Sequence, residues 1–322
     1  MHPATKALEA GATGWRGPPA VRKNPVTFRA RTGNLIGRVI LFLAVTYIRR
    51  SPVARGKGRV GAAAALLVSR VAALEPARMS VTVAGVTVAL WLSPSSLLGA
   101  LTRCFGCYEA PEIAAGLGVL ARRRRPVVLD VGANAGLYSI LAAAAHPGTR
   151  CLAVEADPRV AQCLRRNVDA NAAAIRRHGA SIAVIECALG DRTGPAAFYR
   201  ARDPARGSLF AEAVNPVETI PVPTRRGDEL LAELGIEEID FCKIDVEGAE
   251  LLVLAGLDRT LRAGRIHRLQ VELNKSLSRR AGHSCGGIVE FLRARGYELL
   301  PDARRRYETA RWQCENFAFA RP

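Results

Sequence analysis

The sequence predicts an α/β fold: a doubly wound, mostly parallel Rossmann-like sheet preceded by an N-terminal extension of helices and a β-hairpin. Three observations carry this. From Val127 onward, short apolar runs near 127–131, 151–155, 182–187, 239–244 and 267–273 alternate with helical segments near 136–145, 158–172, 228–234 and 248–262. The first run, Val127 to Asp130, passes through Gly132 and Gly136 into Leu137–Ala142, which reads as strand, tight loop, helix. The second run ends on Glu155, about where nucleoside-binding sheets place a ribose-binding carboxylate, ~20 residues on.

Taken in order, residues 1–33 are rich in Gly, Pro, Ala and basic residues without periodicity and are expected to form a disordered tail. Residues 34–107 hold the extension. Leu35–Ile48 is apolar, interrupted by Arg38 and closed by Arg49-Arg50. It falls short of the ~20 residues that a membrane span needs, and Tyr47-Ile48-Arg49-Arg50 lacks the small residues of a signal-peptide cleavage site. Its basic flanks leave peripheral contact with an anionic membrane open. A second helix is expected from Gly61 to Leu74. Met79–Leu92 alternates around Ala84-Gly85, a β-hairpin that serves as a lid or a platform. A helix over 109–121 then leads into the main domain, residues 108–322.

The loop after the first strand is built to approach a ligand. Gly132 reaches backbone angles closed to other residues, Gly136 lets strand and helix come close, and the helix start offers unpaired amides. A dinucleotide fold would place a glycine where Asn134 stands, and no P-loop lysine follows. Asp130 at the strand end favours a cationic ammonium or sulfonium and repels phosphate. S-adenosyl-L-methionine fits best, with Asp130, Gly132, Ala133, Asn134, Gly136, Glu155, Ala156, Cys187 and Ala188 as its candidate contacts. The competing reading is a strand-Gly-helix turn present for packing alone.

Composition bounds the rest. The 322 residues include 46 Lys and Arg against 29 Asp and Glu, a formal charge of +17, with one dense run at Arg122–Arg125. Such a field attracts nucleic acid, anionic lipid or an acidic substrate without choosing among them. Neither an Asp/Asn-Pro-Pro-aromatic run nor a Pro-Cys nucleophile occurs, which argues against methylation of nucleic-acid bases, and no sequence-specific nucleic-acid partner is expected. Eight cysteines, among them Cys151, Cys163, Cys187 and Cys242 in apolar segments, suit small core residues in a reducing cytoplasm. Cys104 and Cys107 form a lone C-x-x-C without a second pair, which makes zinc or redox use an improbable reading. A different class of answer is a non-catalytic basic protein, docked on membrane or nucleic acid, whose nucleoside fold has degenerated. The intact Asp130, Gly132, Gly136, Glu155 and Asp245 argue against it.

The fourth strand ends in a charged cluster, Lys243-Ile244-Asp245-Val246-Glu247-Gly248-Ala249-Glu250. Together with Asp130–Gly136, Ala188-Leu189-Gly190-Asp191, Gly207-Ser208, Leu254 and Gly256, it resembles the FkbM family of S-adenosylmethionine-dependent methyltransferases, from about Tyr108 to Ala320. The resemblance implies a class I methyltransferase fold and O-methylation of a hydroxyl on a sugar, glycan or secondary metabolite. The chain departs from the family at Gly207-Ser208-Leu209, where relatives often carry a second serine, and in its basic N-terminal hundred residues.

Asp245 is the first candidate for the base or acceptor-orienting group, Glu272 the second, and Glu247 the third. Asp245 and Glu247 point to opposite faces if their strand persists. No dedicated metal site is expected, although Asp245, Glu272 and Asn274 are hard oxygen donors that leave a magnesium-assisted version open. His267, at the far end of its strand, reads as structural. Arg200–Thr224, rich in Gly and Pro, is expected to be a mobile loop carrying acceptor contacts.

Overall fold

A computed structural model describes residues 28–50 and 75–322 apart from Ser95, Tyr108 and residues 204–205, together with five positions between Val60 and Val68. The expected tail over residues 1–27 and most of the expected helix Gly61–Leu74 lie outside the described residues. Helix α1 (Phe28–Arg50) begins before the expected boundary at 33, because Arg29-Ala30-Arg31 are good helix formers onto which the apolar segment's helix propagates.

The extension continues with strands β1 (Ala77–Val83) and β2 (Val86–Leu92), paired antiparallel about Ala84 and Gly85, both at positive φ. Helix α2 (Leu97–Phe105) is capped by Ser96, whose hydroxyl accepts from the Gly99 amide, and it buries Ala100, Leu101 and Cys104 against Leu41 of α1. Cys104 is thus spent on packing. Helix α3 is Ala110–Leu120.

The main domain runs in chain order β3 (Val127–Val131), α4 (Leu137–Ala145), β4 (Arg150–Glu155), α5 (Pro158–Ala170), α6 (Ala172–Arg177), β5 (Ser181–Glu186), β6 (Ala188–Gly190), β7 (Gly194–Ala201), β8 (Pro216–Arg226) and α7 (Gly227–Glu233). It continues through β9 (Phe241–Ile244), α8 (Glu250–Gly256), α9 (Asp258–Arg262), β10 (Leu269–Asn274), α10 (Lys275–Arg280), α11 (Cys285–Arg293), β11 (Glu298–Leu299), α12 (Pro301–Glu308) and β12 (Cys314–Ala320). The seven-stranded sheet has the order β11-β12-β10-β9-β3-β4-β5. Neighbours from β10 to β5 are parallel, and β12 runs antiparallel to both of its neighbours. This is the doubly wound class I methyltransferase sheet that the sequence predicts. Its central strands are mainly apolar, because helices cover both faces, with buried charged residues at the carboxyl ends of β3, β4, β9 and β10.

The hairpin is a platform. Val81, Val83, Val88, Leu90 and Leu92 alternate inward onto α3 and α4. Asn167 of α5 and Asn171 at the junction of α5 and α6 hold the hairpin's second strand: the Ala89 amide donates to Asn171 Oδ1 at 2.9 Å and the Trp91 amide to Asn167 Oδ1 at 2.7 Å. They satisfy a strand edge that would otherwise be left open.

Two expectations need correction. The single helix expected over 248–262 is two helices meeting at Leu257, because Asp228 from α7 accepts the Arg259 and Thr260 amides, each at 2.9 Å, and caps a new start. The two ends of the expected mobile loop Arg200–Thr224 instead lie in strands β7 and β8 of a three-stranded sheet of order β6-β8-β7. Its prolines suggested a loop, yet Pro221 and Pro223 sit where β8 pairs only with β7, so no ladder bond is lost on the other side. Buried Arg200 then clamps this sheet to the start of α5, donating to both Asp157 oxygens at 2.7 and 2.6 Å.

Candidate active site

The carboxyl ends of β3, β4, β9 and β10 open into a cavity of about 340 Å³, the position at which ligands enter open α/β sheets. Every candidate residue lines it except Gly136: Asp130, Gly132, Ala133, Asn134, Glu155, Ala156, Cys187, Ala188, Asp245, Glu247 and Glu272.

The glycine loop owes its path to two close approaches. Gly132 has φ +77°, and a Cβ there would lie 1.9 Å from the Asp245 carbonyl oxygen, so only glycine lets the β3 loop lie against the end of β9. At Gly136, φ is +86° and a Cβ would meet a Leu164 methyl at 2.4 Å. This second glycine serves the packing of loop on helix rather than the cavity wall.

Asn134, at φ +50°, directs its amide to Glu155 Oε2 at 2.9 Å, while the Asp157 amide donates to Oε1 at 2.9 Å. Glu155 is therefore fixed in orientation and still has lone pairs facing the cavity. Its burial pushes the carboxyl pKa up to about 7, against the opposing pull of those two amides. Asp130 is turned differently from expectation. One of its oxygens accepts from the Ser139 hydroxyl at 2.7 Å and the Ser139 amide at 3.2 Å, so much of its charge is spent on the first turn of α4.

The strand β9 does not persist to Glu247. It stops at Ile244, and Glu247 takes φ +51°, so the turn brings Asp245 and Glu247 to one cavity rather than to opposite faces. Glu250 caps this turn, accepting the Gly248 amide at 3.0 Å. The Ser208 hydroxyl donates to the Glu247 carbonyl at 2.8 Å, which accounts for the Gly207-Ser208 motif as a brace on the same turn.

Two residues join the site that sequence reasoning did not select. Glu109, at the start of α3, brings a carboxylate oxygen within 4.8 Å of oxygens of Asp245 and Glu272. Its own oxygens accept from Asn316 Nδ2 at 2.7 Å and the Tyr138 hydroxyl at 3.2 Å. Lys243 donates to Asp245 Oδ2 at 2.5 Å and lies 4.8 Å from the Tyr138 ring centre. Burial alone would discharge this ammonium, but the charges of Asp245 and Glu109 hold its pKa well above that of an ordinary lysine. Burial first, then the crowding of Asp245 and other carboxylates, raises Glu272 well above the usual range and Glu247 to about 8.

Lysine thus occupies the counter-charge position in this cluster. Asn274, the third oxygen of the magnesium alternative, is turned to cap α10, accepting the Ser276 and Leu277 amides at 3.1 and 3.2 Å. The donor set does not assemble the expected trio. The lining suits a nucleoside ligand: Glu155 is oriented by two backbone amides, and Cys187, Ala188 and Phe198 give an apolar wall.

The profile of the Methyltransferase FkbM domain matches residues 130–299, more than half of the chain. The 31-O-demethyl-FK506 methyltransferase FkbM of Streptomyces tacrolimicus is 30% identical over 205 residues, covering 55% of this chain and 74% of that protein. Methyltransferase sdnD of Sordaria araneosa is 30% identical over 162 residues, covering 41% of this chain and 61% of that protein. The AMB antimetabolite synthetase AmbE of Pseudomonas aeruginosa is 28% identical over 209 residues, 54% of this chain but 10% of AmbE. With the glycine loop, the braced Glu247 turn and the Lys243–Glu250 run assembled around one cavity, the chain belongs to the FkbM methyltransferase family.

Proposed function

We propose that the protein transfers the methyl group of S-adenosylmethionine to a hydroxyl oxygen of a small molecule or glycan, with Asp245 receiving or orienting the hydroxyl proton. The observation that carries this reading is that the Gly132 loop lies against the Asp245 backbone carbonyl and that the loop and Asp245 line one cavity, which gives a nucleoside and an acceptor hydroxyl a common space. The O-methyl assignment draws on the Streptomyces relative, whose name specifies a 31-O position.

S-adenosylmethionine, when bound, supplies a methyl carbon activated by its sulfonium. The chain's residues do the rest. Glu155 accepts hydrogen bonds from the ribose hydroxyls, and Gly132 and Ala133 bring backbone against the ligand. Asp245, held by Lys243, takes the hydroxyl proton as the oxygen–carbon bond forms and the carbon–sulfur pair leaves with sulfur. Glu272, Glu247 and Glu109 are the remaining acceptors for the other hydroxyls of a polyol. Ala156, Cys187 and Ala188 flank the adenine side.

Cofactor affinity should depend on pH through Glu155. Its folded pKa of about 7 lies above the ordinary 4.5, so the group contributes stability below the ordinary value that is lost as pH rises through about 7. Ribose hydroxyls donate to the ionised form. Affinity is therefore expected to rise toward about pH 7, by up to ~10-fold per unit, and to level off above it, which calorimetric titration across that range will read.

The reaction itself is tested with labelled S-adenosylmethionine and a panel of sugars, oligosaccharides, alcohols, amines and RNA. The expected result is an oxygen-bound methyl group on a hydroxylated acceptor. Absence of cofactor binding, or label only on nitrogen or nucleic acid, overturns the reading.

A further inference from the structure

Helix α1 is apolar on more of its circumference than the fold uses. Leu41 and Ala44 are buried toward α2, yet Leu35, Ile36, Val39, Phe42 and Leu43 are exposed, Phe42 by 69%. At about 100° per residue these five fall on the side opposite Leu41 and Ala44. A helix apolar all round belongs inside something, and a contiguous apolar strip in water marks a surface that another body covers.

Charge selects the body. Residues 10–74 contain twelve Lys and Arg and no Asp or Glu, so a second copy of the chain would bring like charge against like. Nucleic acid would satisfy the charge and leave the apolar strip in water. An anionic lipid surface satisfies both: apolar side chains enter the headgroup boundary while basic groups meet lipid phosphates. The helix is not apolar over enough of its length to cross. Its apolar run, Leu35–Ile48, extends ~21 Å against the ~30 Å of a hydrocarbon core, and exposed Arg38 interrupts it. No helix among the described residues is long and apolar enough to span a membrane.

We propose that α1 lies flat on an anionic membrane surface through Leu35, Ile36, Val39, Phe42 and Leu43. Docking places the cavity beside the bilayer, because α2, the helix under α1, carries Leu97 and Leu98 into the cavity wall. This inference stands apart from methyl transfer and survives if that reading fails.

The test is sedimentation of the full chain with phosphatidylcholine vesicles, with and without phosphatidylglycerol. Binding is expected only with the anionic lipid, weakened by salt, and reduced about tenfold or more in Phe42→Asp/Leu43→Asp. The circular dichroism spectrum and thermal transition of that variant should match the wild type and report that it is folded. If the double variant does not fold, Arg38→Glu leaves the apolar strip intact and should lower anionic-vesicle binding several-fold. Equal sedimentation of wild type and variants, or binding that ignores lipid charge, overturns the proposal. So does a wild-type dimer that Phe42→Asp dissociates, since the strip is then a self-interface, and so does RNA binding that the vesicles fail to displace.

Discussion

Asp245→Asn is expected to lower turnover by about 10²–10⁴-fold, the usual size of a positioned general base, while S-adenosylmethionine affinity stays within a few-fold. The substitution keeps the shape of the side chain and its hydrogen bond to the cavity, but removes the charge that takes the acceptor proton. Lys243 is the complication. Its ammonium is buried and paired with Asp245 at 2.5 Å, so the asparagine leaves a cation with only Glu109 and the remaining carboxylates to balance it. Cofactor affinity measured on the same preparation separates a lost base from a lost fold. The companion variant is Glu272→Gln, which should lower turnover less, because Glu272 holds its proton more tightly than an ordinary carboxyl. Full activity in Asp245→Asn together with collapse in Glu272→Gln moves the base to Glu272.

Glu155→Ala should weaken S-adenosylmethionine binding by about 30- to 1,000-fold, equivalent to ~2–4 kcal/mol for a carboxylate that accepts two hydroxyl hydrogen bonds. Part of that loss belongs to the protein. The same side chain receives the Asn134 and Asp157 amides, so removing it leaves two backbone donors without their partner and frees a residue held at positive φ. Glu155→Gln distinguishes the two contributions. Its amide oxygen can still serve one backbone donor, so an affinity well above that of the alanine variant points to loop support, and an equal loss points to the ribose. Unchanged affinity in Glu155→Ala removes the ribose assignment altogether.

The parallel sheet was legible because its signals are local. Buried strands read as short apolar runs, and the turn at Gly132 and Gly136 is set by backbone angles that few residues adopt. Glu155 could be placed for the same reason, by its distance from that turn. Glu109 could not. It lies 136 residues before Asp245, at a helix start with no side-chain cap, and only the tertiary packing of α3 beside β9 brings the two carboxylates together. Lys243 was visible in the charged run but read as part of a motif, since nothing in a sequence says that a lysine inside an apolar strand will be buried against a tyrosine ring. The opposite-face expectation for Asp245 and Glu247 failed because period-two alternation holds only while a strand lasts, and this one ends at Ile244. In β8, proline was taken as a sign of mobility, whereas its cost depends on whether the missing N–H had a partner.

The carboxylate excess of the cavity gives each turnover a direction. Glu109, Asp130, Glu155, Asp245, Glu247 and Glu272 outnumber Lys243 and Arg206 along this cavity of a chain whose overall charge is +17, and burial holds several of these carboxyls toward their protonated forms. Under the proposed reaction the ligand enters with a sulfonium cation and leaves as an uncharged thioether. Methyl transfer therefore discharges the ligand beside the Asp245 carboxylate, and the spent nucleoside loses that electrostatic contact at the moment the acceptor gains its methyl group. On the acceptor side, crowded carboxyls that resist ionisation become hydrogen-bond donors as well as acceptors, a lining suited to hydroxyls.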